Sequence, residues 1–403
     1  MVIEPIINGV IARSAHPYGC QQAVRNQIDY VKKAAPIING PKRVLILGAS
    51  SGFGLASRIA LTFGGSDADT LGVSFERGPS DKGIGTAGWY NNIFFRQEAE
   101  RAGRIATNIV GDAFSPAVRR QVIDAIQADL GGQVDLVVYS LATGVRPKPE
   151  ATNTAPDMWR SVIKTLGQPV TGPTLNLERD TMEMLTVGTA SEQEAAETVK
   201  VMGGEDWTDW IACLADAGVL APGCRTVAYS YVGSPLTYPI YHQGTLGQAK
   251  KHLHHSADEI NQRLADIGGQ AHVAVCKALV TKASVFIPAF APYILALFKV
   301  MKAKGCHEGC IEQMQRMFAT KFYPDNAVET DGERLIRMDD WELAQDVQRE
   351  VAELMVQINE NNFAELGDYA GYKQDFLQLN GFAYDEVDYS QPVSVNILTK
   401  MQP

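Results

Sequence analysis

The chain has 403 residues, of which 45% are hydrophobic and 20% are charged, the proportions of an ordinary water-soluble globular protein. Its 36 basic and 46 acidic residues give a net charge of −10, which argues against general binding to nucleic acids. The six cysteines are too few and too scattered for a disulfide framework, so we expect free thiols in a reducing compartment.

The N-terminal stretch carries Glu4 and Pro5 where a signal peptide needs a basic start and an apolar core, so we expect no targeting segment. The longest apolar run, residues 285–298, contains two prolines and is too short to cross a bilayer. These features predict a cytoplasmic protein without a membrane partner. The apolar run could form a wall around an acyl chain or plain core.

Residues 44–54 read VLILGASSGFG, an apolar run that ends in the glycines Gly48, Gly52 and Gly54. Residues 55–63 are compatible with a helix. Glycine allows the backbone to approach a pyrophosphate closely, and the N–H groups of a helix N-terminus attract the negative charge. The segment therefore predicts the first strand, turn and helix of a dinucleotide-binding βαβ unit. The alternative is a mere tight turn, which a glycine pattern alone also fits.

Residues 70–75 (TLGVSF) are predicted to be the next strand, and Glu76 stands at its end. A carboxylate there can accept hydrogen bonds from both ribose hydroxyls of an adenosine. It would also repel a 2′-phosphate, so it favours NADH over NADPH. The alternative is a solvated loop acid.

Strand-like and helical stretches alternate through the first two-thirds of the chain. This alternation, with short and continuously apolar strands, predicts an α/β fold: a doubly wound parallel sheet covered on both faces. The predicted strands are residues 44–47, 70–75, 105–109, 136–140, 226–230 and 273–278, and the predicted helices include 116–130 and 248–267.

Two regions depart from this alternation. Residues 146–189 are rich in Pro and Thr, with extended pieces at 172–177 and 181–187, and predict an insertion with a β-hairpin on the carboxyl side of the sheet. Residues 299–403 are predicted to be mainly helical. The clearest helix is 341–358, with Asp339 and Asp340 at its start, where carboxylates suit the helix dipole. No linker separates these parts, so we expect one elaborated domain over residues 1–403.

Residues 226–251 combine four tyrosines after a strand with two lysines on a predicted helix. In a nucleotide-dependent reductase, a tyrosine can donate a proton or a hydrogen bond to a developing oxyanion, and a nearby ammonium can lower the tyrosine pKa and hold the nicotinamide ribose hydroxyls. Tyr241 and Lys250 would lie on opposite faces of a continuous helix. They can converge only if Tyr241 lies in a loop or a differently oriented turn, which Pro239 and Gly244 allow. Such a pair alone is more often structural than catalytic.

Two weaker groupings follow. Cys306, His307 and Cys310 make a poor tetrahedral set, so no metal is predicted. Three histidines on the helix of Lys250 are expected to be mostly solvated, although one or two could attract a phosphate-bearing substrate; they are His252, His254 and His255.

At these motifs the chain closely resembles the trans-2-enoyl-CoA reductases and the V-type bacterial enoyl-acyl-carrier-protein reductases, one family of enlarged short-chain dehydrogenases/reductases. The Tyr-x8-Lys spacing is the hallmark of that family; ordinary short-chain dehydrogenases have Tyr-x3-Lys and the common enoyl reductases Tyr-x6-Lys. The resemblance covers essentially the whole chain and includes AHPYGC (15–20), LGASSGFGLASRI (47–59), GVSFE (72–76), GTAGWYNN (85–92), GDAFS (111–115), VDLVVYSLA (134–142), VMGGEDW (201–207), AYSYVG (228–233), KALVTKAS (277–284) and HEGCIEQM (307–314).

The resemblance implies a Rossmann-type fold with an NADH site and a small catalytic set. Tyr241 is expected to be the catalytic acid, Lys250 the partner of the ribose and the oxyanion, and Tyr231 a contact of the substrate carbonyl. The residues expected at NADH are Gly48, Ala49, Ser50, Ser51, Gly52 and Phe53 at the pyrophosphate, Phe75 and Glu76 at the adenosine ribose, Asp112 and Ala113 at the adenine, Leu141 and Ala142 beside the fourth strand, and Lys250, Leu279, Val280 and Thr281 around the nicotinamide.

The chain departs from the family pattern in two places. It has Thr143 and Gly144 where the family often continues with Ser-Pro, and Tyr238 and His242 where Trp is frequent. Both changes are expected at the rim of the site and bear on acyl-chain preference.

The activity implied is NADH-dependent reduction of the 2,3 double bond of a trans-2-enoyl thioester, carried by CoA or acyl carrier protein, in fatty acid synthesis or short-chain acyl-CoA reduction. A monomer is expected. The alternatives are a carbonyl reductase of the same superfamily, a non-enzymatic nucleotide-binding protein, and an S-adenosylmethionine-dependent methyltransferase. Methyl transfer has no need of the Tyr241–Lys250 pair.

Overall fold

A seven-stranded sheet in which every pairing is parallel forms the centre of the protein. The computed structural model describes residues 1–80, 83–149, 157–323 and 327–403. Its strands are β1 (Ile7–Asn8), β2 (Ile11–Ala12), β3 (Arg43–Leu47), β4 (Asp69–Ser74), β5 (Ala106–Val110), β6 (Val134–Tyr139), β7 (Val145–Pro147), β8 (Met158–Arg160), β9 (Val170–Asn176), β10 (Thr181–Val187), β11 (Leu220–Ser230), β12 (Gln270–Val275) and β13 (Leu335–Arg337).

Helices cover the sheet and extend beyond it. They are α1 (Pro17–Lys33), α2 (Gly52–Phe63), α3 (Ala87–Arg101), α4 (Pro116–Asp129), α5 (Glu192–Met202), α6 (Glu205–Asp216), α7 (Thr245–Leu264), α8 (Ala291–Ala303), α9 (Cys310–Arg316), α10 (Gln345–Met355), α11 (Phe363–Leu366), α12 (Tyr369–Gln378) and α13 (Val395–Leu398). Short 3₁₀ turns occur at Ala265–Ile267 and Ser284–Phe286, and a π-helix at Met317–Phe322.

The strand order across the sheet is β13-β12-β11-β6-β3-β4-β5. The chain therefore starts in the middle at β3, builds outward to β5, crosses to β6 and builds outward to β13, which is the doubly wound order. The predicted α/β class is confirmed, and each predicted strand is present with its ends shifted by a few residues. The second strand ends at Ser74, so Phe75 lies in the following loop. β13 was not predicted, because three residues carry no periodicity.

Alternate residues of the central strands face two separate cores. Val44 and Ile46 of β3 pack with α1, α2, α3 and α9, whereas Leu45 and Leu47 pack with α4, α6 and α7. Because both faces are covered, the strands are apolar throughout instead of alternating with polar residues. All four of these side chains are 0% exposed.

The predicted hairpin is confirmed as the antiparallel pair β9–β10. Leu175, Leu177 and Met182 of this hairpin pack in a third core with α8, α10 and α12. The same core includes Ala278 and Leu279, which follow the carboxyl end of β12, so the hairpin lies on the predicted side of the sheet. Residues 150–156 of the predicted insertion lie outside the described residues.

The predicted helix over residues 341–358 is wrong at its start. Helix α10 begins at Gln345, and the two acids thought to precede it are engaged in ion pairs elsewhere. Asp339 accepts from Arg337 at 2.6 Å, and Asp340 accepts from Arg316 at 3.0 Å and Lys321 at 2.8 Å. These charge-assisted contacts hold residues 339–344 in a non-helical turn.

The apolar run 285–298 is divided between the core and the wall of a cavity. Its second half forms most of α8, where Leu295, Leu297 and Phe298 are 0% exposed. Phe286 and Phe290 line the cavity described below. In the described parts of the chain, no helix is long and apolar enough to cross a membrane.

The turn after β3 lies against the turn after β6, where the sheet order reverses. Gly48 has a φ of +90°, and a Cβ on it would lie 2.3 Å from the carbonyl oxygen of Ser140. A Cβ on Gly54, in the first turn of α2, would lie 1.9 Å from the carbonyl oxygen of Gly48. Glycine at these positions is therefore a packing requirement of the crossing point.

The fold predicts different costs for two glycine substitutions in this turn. Gly54→Ala should lower the free energy of unfolding by at least about 3 kcal/mol, because its methyl group meets backbone that cannot move aside. Gly52→Ala should cost only about 1–2 kcal/mol, because Gly52 has a φ of +54° but open space around its Cβ position. Urea unfolding of both variants without cofactor tests this, and equal midpoints would contradict it.

Candidate active site

The glycine turn presents an uncapped helix N-terminus at the carboxyl edge of the sheet. Ser51 precedes α2 and makes no side-chain hydrogen bond to the first amides of the helix. Ser51 and Gly52 line a cleft, whereas Ala49 is 0% exposed and packs inward. The free N–H groups and the helix dipole make this turn a ready anion site.

Glu76 is held at the start of the loop after β4. Its carboxylate accepts a hydrogen bond from Ser50 Oγ at 2.6 Å and another from the hydroxyl of Thr86. Ser50 is fixed in turn, because its carbonyl oxygen accepts from the Asn91 side chain at 2.9 Å. Phe75, next to Glu76, is 81% exposed, which is unusual for a phenylalanine. The carboxylate and the exposed ring stand where an adenosine is expected.

The other residues predicted near the adenosine follow neighbouring strands. Asp112 lies in the turn after β5 and accepts from the Phe114 amide at 2.9 Å, and Ala113 is buried beside it. Leu141 and Ala142 follow β6 and line a cavity at the centre of the edge. The carboxyl ends of β3, β4, β5 and β6 thus form one continuous surface.

A cavity of about 560 Å³ opens beside this surface. It brings together Phe53 of the glycine turn and most residues of the predicted catalytic and nicotinamide sets: Tyr231, Tyr241, Lys250, Leu279 and Thr281. Val280 does not line it and instead faces the cleft of Ser51 and Gly52. The walls are mainly apolar, and Ile287 and Phe290 close one side.

Tyr241 and Lys250 reach this cavity from different elements. Helix α7 begins only at Thr245, so Tyr241 lies in the preceding turn, as the spacing required. The Gly244 backbone is extended at that junction, with φ −108° and ψ −177°. Because the turn and the helix run in different directions, the two side chains line the same cavity although they are nine positions apart.

Burial controls the ionisation of these groups. Desolvation lowers the pKa of Lys250 to about 8, and its ammonium donates to the carbonyl oxygen of Tyr229 at 3.3 Å. Burial raises the pKa of Tyr241 above its ordinary value, with a smaller contribution from Cys276. Desolvation is the larger of the two causes, so the Tyr241 hydroxyl keeps its proton in the protein alone.

Tyr231 belongs to a buried polar cluster that sequence reasoning missed. Its hydroxyl donates to Glu342 Oε1 at 3.2 Å, and the Tyr293 hydroxyl donates to the same oxygen at 2.5 Å. Lys277, also fully buried, has its pKa lowered to about 8 by desolvation. The predicted helix 341–358 placed Glu342 among its exposed acids, and no sequence pattern connects Glu342 to Tyr231.

The remaining predicted positions divide between the cavity and its surroundings. Thr143 and Gly144 line the cavity, whereas Tyr238 and His242 stack on each other at 4.7 Å and are not among its lining residues. His254 bonds to Ser230 at 2.8 Å, and burial lowers its pKa to about 4, so it is neutral and unsuited to attracting a phosphate. Within the described residues, no group of three or more His, Cys, Asp or Glu could hold a metal.

A doubly wound sheet with a glycine turn, an acid held after β4 and a cavity lined by a tyrosine and a lysine defines a nicotinamide-dependent reductase of the short-chain type. The chain belongs to the trans-2-enoyl-CoA reductase family, as predicted. Residues 2–81 match the model of the NAD(P)H binding domain of trans-2-enoyl-CoA reductase, residues 83–323 the trans-2-enoyl-CoA reductase catalytic region, and residues 330–393 the enoyl reductase FAD binding domain.

Relatives and solved structures support the same assignment. The chain is 65% identical to an enoyl-[acyl-carrier-protein] reductase [NADH] of Photobacterium profundum and 49% identical to a trans-2-enoyl-CoA reductase [NADH] of Clostridium beijerinckii, in each case over 100% of both chains. It superposes on the Clostridium acetobutulicum trans-2-enoyl-CoA reductase in complex with NADH with a TM-score of 0.96, at 48% identity and full coverage of both chains.

The residues of 330–393 do not fit a flavin dinucleotide. A Cβ on Gly367 would meet the Leu295 side chain at 2.7 Å, and one on Gly381 the carbonyl oxygen of His16 at 2.4 Å, so these glycines pack against protein. The charged side chains that this segment adds to the Ser51–Gly52 cleft are Asp375, Asp385 and Glu386.

Proposed function

We propose that this protein is an NADH-dependent enoyl-thioester reductase that saturates the 2,3 double bond of trans-2-enoyl-CoA or trans-2-enoyl-acyl carrier protein. The observation that carries the proposal is the convergence of Tyr241 and Lys250 on one apolar cavity next to the glycine turn. A methyltransferase has no need of this pair. The family to which the chain belongs supports the same reaction.

The residues present fit NADH. Ser50, Ser51 and Gly52 form the pyrophosphate turn at the N-terminus of α2, where no side chain caps the first amides. Glu76 is oriented by Ser50 and Thr86 to accept from the adenosine ribose. The other residues assigned to NADH are Gly48, Ala49, Phe53, Phe75, Asp112, Ala113, Leu141, Ala142, Lys250, Leu279, Val280 and Thr281.

When bound, NADH supplies the hydride that reaches the β-carbon of the enoyl thioester. Tyr241 donates a hydrogen bond to the thioester oxygen as the thioester becomes an enolate. Tyr231, whose ring packs against that of Tyr241, donates a second hydrogen bond to the same oxygen. Because burial raises the pKa of Tyr241, its proton stays in place until charge develops on the substrate. Lys250 holds the ribose hydroxyls, and the apolar wall keeps water from the reacting carbons. One proton from solvent, delivered through the Tyr241 hydroxyl, reaches the α-carbon and completes the reduction.

The proposal extends to the oligomeric state, the location and the domain organisation of the protein. We propose that the protein acts as a monomer in the cytoplasm, as one elaborated domain with an insertion at 146–189 and a helical part at 299–403. The family resemblance favours the monomer, and the composition favours the cytoplasm. The names of the relatives include both carriers, which supports a role in fatty acid synthesis or short-chain acyl-CoA reduction without choosing between them.

The experiment that tests the proposal follows NADH oxidation with crotonyl-CoA and with crotonyl-acyl carrier protein. Butyryl thioester should form in step with NADH consumption. Turnover of acetoacetyl-CoA without turnover of crotonyl-CoA would identify a carbonyl reductase. Tight NADH binding without any turnover would identify a nucleotide-binding protein.

Glu76 should determine the choice of cofactor. Glu76→Ala and Glu76→Gln both remove the charge that repels a 2′-phosphate, so each should raise the efficiency with NADPH relative to NADH. Glu76→Gln keeps the side-chain volume and controls for loss of packing. The measurement is the ratio of kcat/KM for the two cofactors, and an unchanged ratio in both variants would refute the assignment.

Lys250 should make NADH use pH-dependent. Its pKa of about 8 lies below the ordinary value, so the ammonium is present at low pH and is lost as pH rises through about 8. We expect kcat/KM for NADH to fall in that range. Lys250→Arg keeps its charge, so any activity that it retains should lack this alkaline decline. Lys250→Ala should remain folded by circular dichroism and lose most turnover; near-normal turnover would transfer the role to Lys251 or another cation.

Tyr241 should be the principal catalytic hydroxyl, with Tyr231 in support. Tyr241→Phe removes one oxygen and little packing, so NADH affinity should survive while kcat with crotonyl-CoA falls roughly a hundredfold, equivalent to about 3 kcal/mol. Tyr231→Phe should fall less, or mainly raise KM. Steady-state kinetics with NADH affinities for both variants decide this. A larger loss of kcat in Tyr231→Phe would exchange the two roles.

A further inference from the structure

The carboxylate of Glu342 is buried directly behind the wall of the reaction cavity. Its side chain is 0% exposed and is not among the residues that line the cavity. Oxygen Oε1 accepts from Tyr231 at 3.2 Å and from Tyr293 at 2.5 Å, and Oε2 accepts from the Ala278 amide at 2.7 Å. Three donors on one buried carboxylate form a network whose members constrain one another.

Two of these donors belong to different parts of the proposed active site. The Tyr231 ring packs edge-on against Tyr241, with centroids 4.8 Å apart and planes at 82°, so its position is coupled to the proposed catalytic hydroxyl. Ala278 begins the segment that continues into Leu279 and Thr281 in the cavity wall. Glu342 therefore ties the tyrosine pair to that segment.

The third donor allows Tyr231 to act on a substrate. Tyr293 is 1% exposed, and its hydroxyl also accepts from Gln348 Nε2 at 3.2 Å. When Tyr231 turns its proton toward a thioester oxygen, Tyr293 and the Ala278 amide still satisfy the carboxylate. The contact with Glu342 thus fixes the phenol without leaving a bare buried charge behind.

Burial raises the pKa of Glu342, and the nearby ammonium of Lys277 opposes that shift. The groups that face the carboxylate are Tyr231, Tyr293, the Ala278 amide, Lys277 and the like-charged Asp339. Lys277 directs its own hydrogen bond to the Ala278 carbonyl oxygen at 3.0 Å and forms no ion pair with Glu342 within the described residues. The hydrogen bonds, and not a salt bridge, set the position of the carboxylate.

We propose that Glu342 is a positioning residue of the active site: it fixes the Tyr231 phenol against Tyr241 and so orients the thioester carbonyl. This inference rests on the proposed function. It assigns to the C-terminal segment 330–393, in which no flavin site is formed, a part in thioester reduction.

A double-mutant cycle between Glu342 and Tyr231 tests the proposal. Glu342→Leu removes both oxygens and should lower kcat/KM for crotonyl-CoA about tenfold, mainly through KM, with kcat/KM for NADH within about twofold of wild type. Glu342→Gln leaves one acceptor oxygen where the carboxylate offers two, so either the two tyrosines or the Ala278 amide lose their partner. It should lower the same kcat/KM about threefold. In the Tyr231→Phe background either substitution should cost less than about twofold, because the hydroxyl through which Glu342 acts is absent.

A matched control separates positioning from general stability. Asp135 is partly buried and accepts from Arg43 at 2.7 Å at the amino ends of β3 and β6, and it does not line the cavity. Asp135→Asn should lower the unfolding midpoint while leaving the kinetics with crotonyl-CoA unchanged in both backgrounds. If Glu342→Leu does not fold, Glu342→Gln taken through the same cycle decides the matter.

The outcomes are distinguishable. A loss of the same factor with and without the Tyr231 hydroxyl, an equal loss for NADH, or wild-type kinetics in the folded Glu342 variants would each overturn the proposal. A wild-type protein that does not oxidise NADH with any enoyl thioester would instead refute the proposed function.

Discussion

The close approach of three backbone segments at the centre of the sheet is the constraint on which the rest of the site depends. Gly48, Gly54 and Ser140 meet at distances that leave no space for a Cβ on either glycine. Because that contact holds the start of α2 against the ends of β3 and β6, the first amides of the helix point into the edge where the sheet order reverses. Glu76 after β4, Tyr241 before α7 and Lys250 on α7 reach the same edge of the sheet because the parallel strands all end there.

The chemistry of this edge is governed by desolvation. Burial lowers the pKa of Lys250 to about 8 and raises the pKa of Tyr241, so the tyrosine does not give up its proton in the resting protein. This arrangement suits a site that must bind a negative charge which appears only during the reaction. A donor that is already in place, dry and protonated stabilises an enolate more than the neutral thioester that precedes it, which is the differential binding that catalysis requires.

Local patterns were enough to predict the sheet, the glycine turn and the Tyr–Lys geometry. An apolar run that ends in glycines and leads into a helical stretch favours a strand, turn and helix, and the requirement that Tyr241 lie off the helix of Lys250 followed from helix geometry alone. Patterns failed where long-range contacts decide. Asp339 and Asp340 read as helix-capping acids, yet Arg337, Arg316 and Lys321 hold them in a turn. The burial that raises the pKa of Tyr241 could not be predicted either, since the spacing of two residues does not reveal it.

Glu342 illustrates why such a residue escapes a reading along the chain. It lies 111 residues after Tyr231 and 64 after Ala278, in a stretch of acids that resembles a solvated helix start. The fold shows that the ion pairs of Asp339 and Asp340 hold the following residues in a turn, and that this turn directs Glu342 into the interior. A helix starting at residue 341 would lack these ion pairs. The contacts that make the helix prediction wrong therefore also place the buried carboxylate behind the cavity. The turn at residues 339–344 and the wall of the cavity are thus connected through the side chain of Glu342.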